Sequence, residues 1–176
     1  MLRVNEVIGP GERGTGAPSG TVTLTFHDRR RSRLLAALDD GRELALMLPR
    51  GSVLRDGDRL RASDGAVVTV RAADESLSVA RAPDPRLLAR AAYHLGNRHV
   101  PVQVGDGLLA YLHDHVLDDM VRGLGLSVEA RVAPFEPEAG AFHGGAHHHD
   151  TDPDHDDHHH DDHDHHDPGH GGTHHH

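Results

Sequence analysis

The sequence predicts an α+β protein: a small all-β N-terminal domain, a ferredoxin-like βαββαβ C-terminal domain and a disordered His/Asp-rich tail. Three observations predict it. Short β-branched runs separated by Gly and Asp turns fill the first part of the chain. Near Ala82 the apolar spacing changes to a helical period. From His143 the chain is dominated by His, Asp and Gly, which cannot bury an apolar core. The expected limits are 1–75, 76–142 and 143–176.

In the first domain, Thr21 to Phe26 alternates Val22, Leu24 and Phe26 with Thr, which gives a strand one apolar face. Asp40-Gly41 makes a turn, Leu44 to Leu48 an apolar run that Pro49 and Gly51 break, and Asp56-Gly57 a second turn. Ala66 to Val70 is a short β-branched strand. Gly9 to Gly20 has the glycines of a phosphate-binding loop but not its Gly-Lys-Ser/Thr ending, and the chain contains no Lys. It reads as a flexible loop. Arg29 to Arg33 reads as charge guarding a strand edge rather than as a grip on phosphate.

In the second domain Ser76 to Ala82 alternates as a strand. Asp84 offers an N-cap and Pro85 a first helical position, and Leu88, Ala91, Ala92 and Leu95 form one stripe before Gly96 stops the helix. His99 to Val104 and Leu108 to Leu112 make a hairpin around Gly105-Asp106-Gly107. Asp114 then caps a helix carrying Val116, Leu117, Met120, Val121 and Leu124, which Gly125 closes, and Leu126 to Val132 supplies a last strand. This order gives a four-stranded sheet with two helices on one face.

The chain has no cysteine, so thiolate sites and disulfides are excluded and any metal must be held by nitrogen and oxygen. All 18 basic residues are Arg and none lies beyond Arg131. Residues 143–176 hold 15 of the 20 His and nine Asp, so the tail supplies −9 of the net −10. The remainder sets 19 acids against 18 Arg, which offers no net positive charge to nucleic acid or anionic lipid. Neither a nucleic-acid partner nor a membrane partner is expected. The start MLRVNEVIG has no apolar run suited to a signal peptide or a membrane span, so the cytoplasm is the expected compartment.

The tail is the first metal-binding candidate, through His147, His148, His149, His155, His158, His159, His160, His163, His165, His166, His170, His174, His175 and His176. An expression tag is usually one uninterrupted His run, whereas here His is interleaved with Asp. Imidazole binds metal only when neutral, so with an ordinary pKa of about 6.5 the tail loads at neutral pH and discharges below about 6. Its ligand type does not select nickel, since imidazole affinity rises along the first-row series to Cu2+; Cu2+ and Zn2+ are the expected competitors.

Within the folded part, His113 and His115 lie two apart where a strand gives way to a helix, and an extended backbone would point both to one face. They read either as a weak metal pair or as the polar flanks of the Asp114 cap. His99 reads either as a ligand or as a residue hydrogen-bonded near a helix end. His94 and His27 read as structural or surface residues. A first-row ion takes about four to six donors, and each locus offers one or two. A two-fold dimer would double His99 near its axis without any further sequence.

Three stretches carry a specific resemblance: YHLGNRHVPVQV (Tyr93 to Val104), DHVLDDMVRGLGLSVE (Asp114 to Glu129) and APFEPEAGAF (Ala133 to Phe142), followed by the His-rich tail. With DDGRELALMLPRG and LRDGD in the first domain, they make the chain similar to the urease accessory protein E family, nickel metallochaperones of urease maturation. The resemblance implies a homodimer through the C-terminal domains, with Ni2+ on the two-fold axis between two copies of His99. It places peripheral ligands at His113 and His115; some relatives have a third His where this chain has Leu112. It gives the β domain a docking role and implies transfer of nickel to the urease accessory GTPase (protein G) and to the urease apoprotein with accessory proteins D and F. On this reading the protein is not an enzyme.

Two other classes remain open. A His-rich nickel or zinc store needs only the tail. A zinc hydrolase would use His113, Asp114 and His115, yet no nucleophile paired with a base accompanies them.

Overall fold

Two sheets, each with its own core, organise residues 1–9 and 18–139, which are the ones described in this computed structural model. The first contains β1 (Leu2–Ile8), β2 (Gly20–Leu24), β3 (Arg33–Ala37), β4 (Glu43–Met47), β5 (Arg59–Ala62) and β6 (Val67–Ala72), in the order β2-β6-β5-β1-β4-β3. Val4, Val22, Leu44, Leu46, Leu60 and Val68 are almost fully buried in one cluster. Strands from opposite ends of the sheet share that core because the sheet curls. The Asp39 N–H donates to the Thr21 carbonyl at 2.9 Å, and Thr23 returns its N–H to Asp39 Oδ1 at 3.1 Å, tying edge strand β2 to the β3–β4 turn. Gly41, with φ of 87°, lets that turn reverse.

The strand expected from Thr21 to Phe26 ends at Leu24. The Thr25 hydroxyl accepts from the Asp28 N–H at 3.2 Å, and this cap starts a one-turn helix, α1 (Phe26–Arg29). The otherwise all-β unit therefore carries a helical turn. Two of its strands, β1 and β5, are interrupted by Arg, Asn or Glu, and β3 is a short Leu-Leu-Ala-Ala run without polar alternation, so none of the three stands out in the sequence. Arg33 does begin edge strand β3, as expected of a charged guard. Arg29 does not share that role, because it is fully buried.

The second sheet contains β7 (Asp74–Arg81), β8 (Gln103–Gly105), β9 (Leu108–Leu112) and β10 (Ser127–Pro134), ordered β10-β7-β9-β8 with antiparallel neighbours. With α2 (Pro85–Gly96) and α3 (His115–Gly123) between strands, this is the βαββαβ arrangement the sequence predicts. Both helix starts behave as their residues dictate. Asp84 Oδ1 accepts from the Arg86 N–H at 2.9 Å, and Asp114 Oδ1 accepts from Val116 and Leu117 at 2.8 and 3.2 Å. Ala91 and Leu95 of α2 and Val121 of α3 pack with Ala80, Leu109, Tyr111 and Leu126 in the second core.

The hairpin is shorter than His99 to Val104 suggests, since β8 begins only at Gln103. The Val100 N–H is used by the Leu95 carbonyl and Pro101 has no N–H to give to a ladder. Phe26, Leu77 and Phe135 form a third cluster where the two sheets meet, with the rings of Phe26 and Phe135 edge to face at 5.4 Å. Among the described residues no helix is long and apolar enough to cross a membrane. Most of the Gly9 to Gly20 loop, the end of the second domain and the whole tail lie outside the described residues.

Candidate metal centre

His99 occupies a backbone position that glycine would fill without strain. Its φ is 56°, and it is the one non-glycine residue with positive φ among those described. The cause is the way α2 ends. Helical bonding runs on through Gly96, so Gly96 is not the stop that the sequence suggested. The His99 N–H donates to the Gly96 carbonyl at 2.8 Å and the Val100 N–H reaches back to Leu95 at 3.2 Å. This paired closure requires a left-handed residue at its next-to-last position. Helix α3 ends the same way, with Gly125 donating to Arg122 at 2.9 Å and Leu126 to Val121 at 3.4 Å, and Gly125 takes the φ of 98°. One helix spends a glycine at this point and the other spends a histidine.

The His99 side chain is exposed, beside a groove of about 790 Å3 lined also by Phe26, Val53, Pro101 and Val104. Tyr93, 65% exposed, and Val104, 54% exposed, add apolar surface in the same domain. His94 is half-buried, its ring edge to face with Tyr93 at 5.3 Å, in keeping with a structural role; His27 is exposed on α1.

His113 follows β9 directly, and its N–H donates to the Ser76 carbonyl of β7 at 3.0 Å, so the backbone there is held in sheet register. Its side chain meets a polar set that the sequence reading missed. Nδ1 lies 3.0 Å from Ser78 Oγ and 3.4 Å from Asp118 Oδ2. Ser78 is fully buried and Asp118 is 4% exposed. The Tyr111 hydroxyl donates to Asp118 Oδ1 at 2.9 Å, and Arg122 approaches the other oxygen at 3.7 Å. Burial, then the bond to Asp118, push the Tyr111 phenol well above its ordinary range, which keeps it a proton donor. The signal for Asp118 was a carboxylate set in the apolar stripe of α3, between Leu117 and Val121. Ser78 and Tyr111 are opposite each other in the β7–β9 register.

His115 is the first residue of α3 and is exposed. Among the described residues no three His, Asp or Glu side chains converge as a metal site would require. The structure brings His113 to Asp118 and does not bring His99 to His113 and His115 in such a group. The tail histidines from His147 to His176 lie outside the described residues.

Sequence comparison places this chain in a known class of protein, accessory factors of urease. Residues 4–73 match the N-terminal domain model of the UreE urease accessory protein and residues 75–176 match its C-terminal domain model. The chain is 61% identical over 137 residues to the urease accessory protein UreE of Pseudomonas putida strain GB-1, covering 77% of this chain and 83% of that relative. It is 61% identical over 124 residues to UreE of Alkalilimnicola ehrlichii, covering 70% and 76%, and 56% identical over 136 residues to UreE of Burkholderia ambifaria, covering 77% and 67%. The chain belongs to the UreE urease accessory protein family.

Proposed function

We propose that this protein is a nickel metallochaperone for urease maturation, and that its strongest site is formed by His99 from two copies of the chain. The observation that carries the reading is His99 itself: an exposed imidazole kept at a left-handed helix end where α3 uses glycine. Strain of that kind is retained where the side chain has work to do. Family membership supplies the context, and the donor set of neutral imidazoles and carboxylates suits a borderline divalent ion such as Ni2+.

One chain's described residues hold no complete shell, so the axial site draws on the partner copy, which brings the second His99, and the tail adds further donors without being required for it. His113 and His115 form a peripheral locus. The tail, with its 15 His, captures ions and raises their concentration near the axis, while the axial pair keeps one ion long enough for handover. Nickel then passes to the accessory GTPase and to apo-urease with its other accessory proteins, with the β domain as the docking module. The protein works in the cytoplasm as a carrier and catalyses no reaction of its own.

The test is a calorimetric titration of Ni2+ into protein ending at Gly144, paired with sedimentation. The hydrophobic clusters of the described residues lie between Val4 and Phe135, so this truncation leaves them intact. His99→Ala is expected to lose the tightest nickel site, one per dimer, while remaining folded and dimeric. Unchanged stoichiometry and affinity in that variant would refute the reading. If the native chain ending at Gly144 binds no nickel tightly, a store built on the tail alone is the better description.

A further inference from the structure

We infer that Asp118 and Ser78 are positioning residues that fix the ring of His113 so that Nε2 alone is presented to an incoming metal ion. This rests on the reading of His113 as a nickel ligand and says what makes it one.

The ring has two nitrogens, and its neighbours decide which carries the proton. Asp118 of α3 and Ser78 of β7 meet one edge of His113, with Tyr111 of β9 bonded to Asp118. Asp118 is nearly buried, and its oxygens are engaged by the Tyr111 hydroxyl at 2.9 Å, by Arg122 at 3.7 Å and by Nδ1 of His113 at 3.4 Å. A carboxylate oxygen facing a ring lone pair would be repelled, whereas one facing an N–H is attracted. The proton therefore sits on Nδ1. Ser78 Oγ, 3.0 Å away, accepts from the same N–H and turns its own hydrogen toward the Tyr111 oxygen, while Tyr111 donates to Asp118. His113, Ser78, Tyr111 and Asp118 thus form a chain of hydrogen bonds in which each hydroxyl both donates and accepts, and the Asp118 carboxylate, 3.4 Å from Nδ1, faces the same ring edge as a charge rather than as a hydrogen-bond acceptor.

The His113 side chain is 45% exposed although its Nδ1 faces buried groups, so its exposure falls on the rest of the ring, which carries Nε2. A metal-bound imidazole that donates its other N–H to a carboxylate has a fixed ring orientation and greater basicity, and loss of such a partner typically weakens metal affinity about 10–100-fold. His115, at the exposed start of α3, is placed by the helix backbone and the Asp114 cap instead. The two histidines of the locus are therefore unequal, with His113 the pre-set one.

The experiment uses the full chain with 15N-labelled histidine, its His113 signal assigned from the loss seen in His113→Gln. Long-range 1H–15N correlation on the metal-free protein, above the imidazole titration range, is expected to report Nδ1 protonated and Nε2 bare. Diethyl pyrocarbonate labelling read peptide by peptide during a Ni2+ titration then gives the concentration that half-protects His113. Asp118→Asn is expected to mix the tautomers and raise that concentration about 10–100-fold, with protection at His99 unchanged. Ser78→Ala, a smaller perturbation should Asp118→Asn fail to fold, is expected to move both readings in the same direction. A bare Nδ1 in the native protein, or native-like protection of His113 in folded Asp118→Asn, would overturn the inference. Absence of Ni2+ protection at His113 in the native chain would instead overturn its role as a nickel ligand, a failure that the metal-free tautomer keeps distinct.

Discussion

Arg29 has no exposed surface, and its guanidinium is occupied from three directions: the Leu54 carbonyl at 3.0 Å, the Phe135 carbonyl and the Glu136 carboxylate. Glu136 also accepts from the Asp56 N–H at 3.2 Å and pairs with Arg55 at 3.4 Å, so one carboxylate serves both sheets' segments. Removing the Arg29 side chain leaves the Leu54 and Phe135 carbonyls without their donor in a buried place, at a cost of about 1–3 kcal/mol each. Arg29→Ala is expected to lower the unfolding free energy by about that much in urea titrations. A loss below about 1 kcal/mol would show that Arg29 is not holding the junction. In the sequence, Arg29 is one of four arginines in five residues, and nothing there distinguishes the buried one from its solvated neighbours. Its burial depends on Phe135 and Glu136, more than a hundred residues away.

At the scale of the element, α2 and α3 form an internal comparison. Their starts were legible, because Asp84 and Asp114 bond only to N–H groups two or three residues ahead. Their ends were legible for α3, where Gly125 has no other use, and not for α2, where Gly96 looked like the stop while the left-handed position fell to His99. Left-handed backbone costs a side-chain-bearing residue about 1–2 kcal/mol relative to glycine. His99→Gly is therefore expected to raise thermal and urea stability by about 1 kcal/mol while abolishing the tightest nickel site. Stability and function would move in opposite directions, whereas a destabilised His99→Gly would mean that the imidazole supports the fold. The strands show the same limit. Val22 and Leu24 announced β2, but Thr25 capped the next turn and took Phe26 into α1, a choice made by one hydroxyl. The Ser78, Tyr111 and Asp118 set was invisible for a different reason, since register across β7, β9 and α3 brings together residues up to 40 positions apart.

At the scale of the molecule, the βαββαβ order was legible because alternating strand and helix periods leave few ways to pair four strands. What the sequence could not supply was the backbone reason for His99 to stand exposed beside apolar surface, with Tyr93 and Val104 in the same domain. That placement suits a residue that would meet its own copy. The central claim is that two His99 side chains share one nickel ion. It is tested most directly by anomalous diffraction at the nickel edge from crystals of protein ending at Gly144, loaded with Ni2+. The account predicts a nickel peak on a two-fold axis, bonded to a ring nitrogen of His99 from each copy. A peak confined to His113 and His115, with the two His99 rings apart and unliganded, would contradict it.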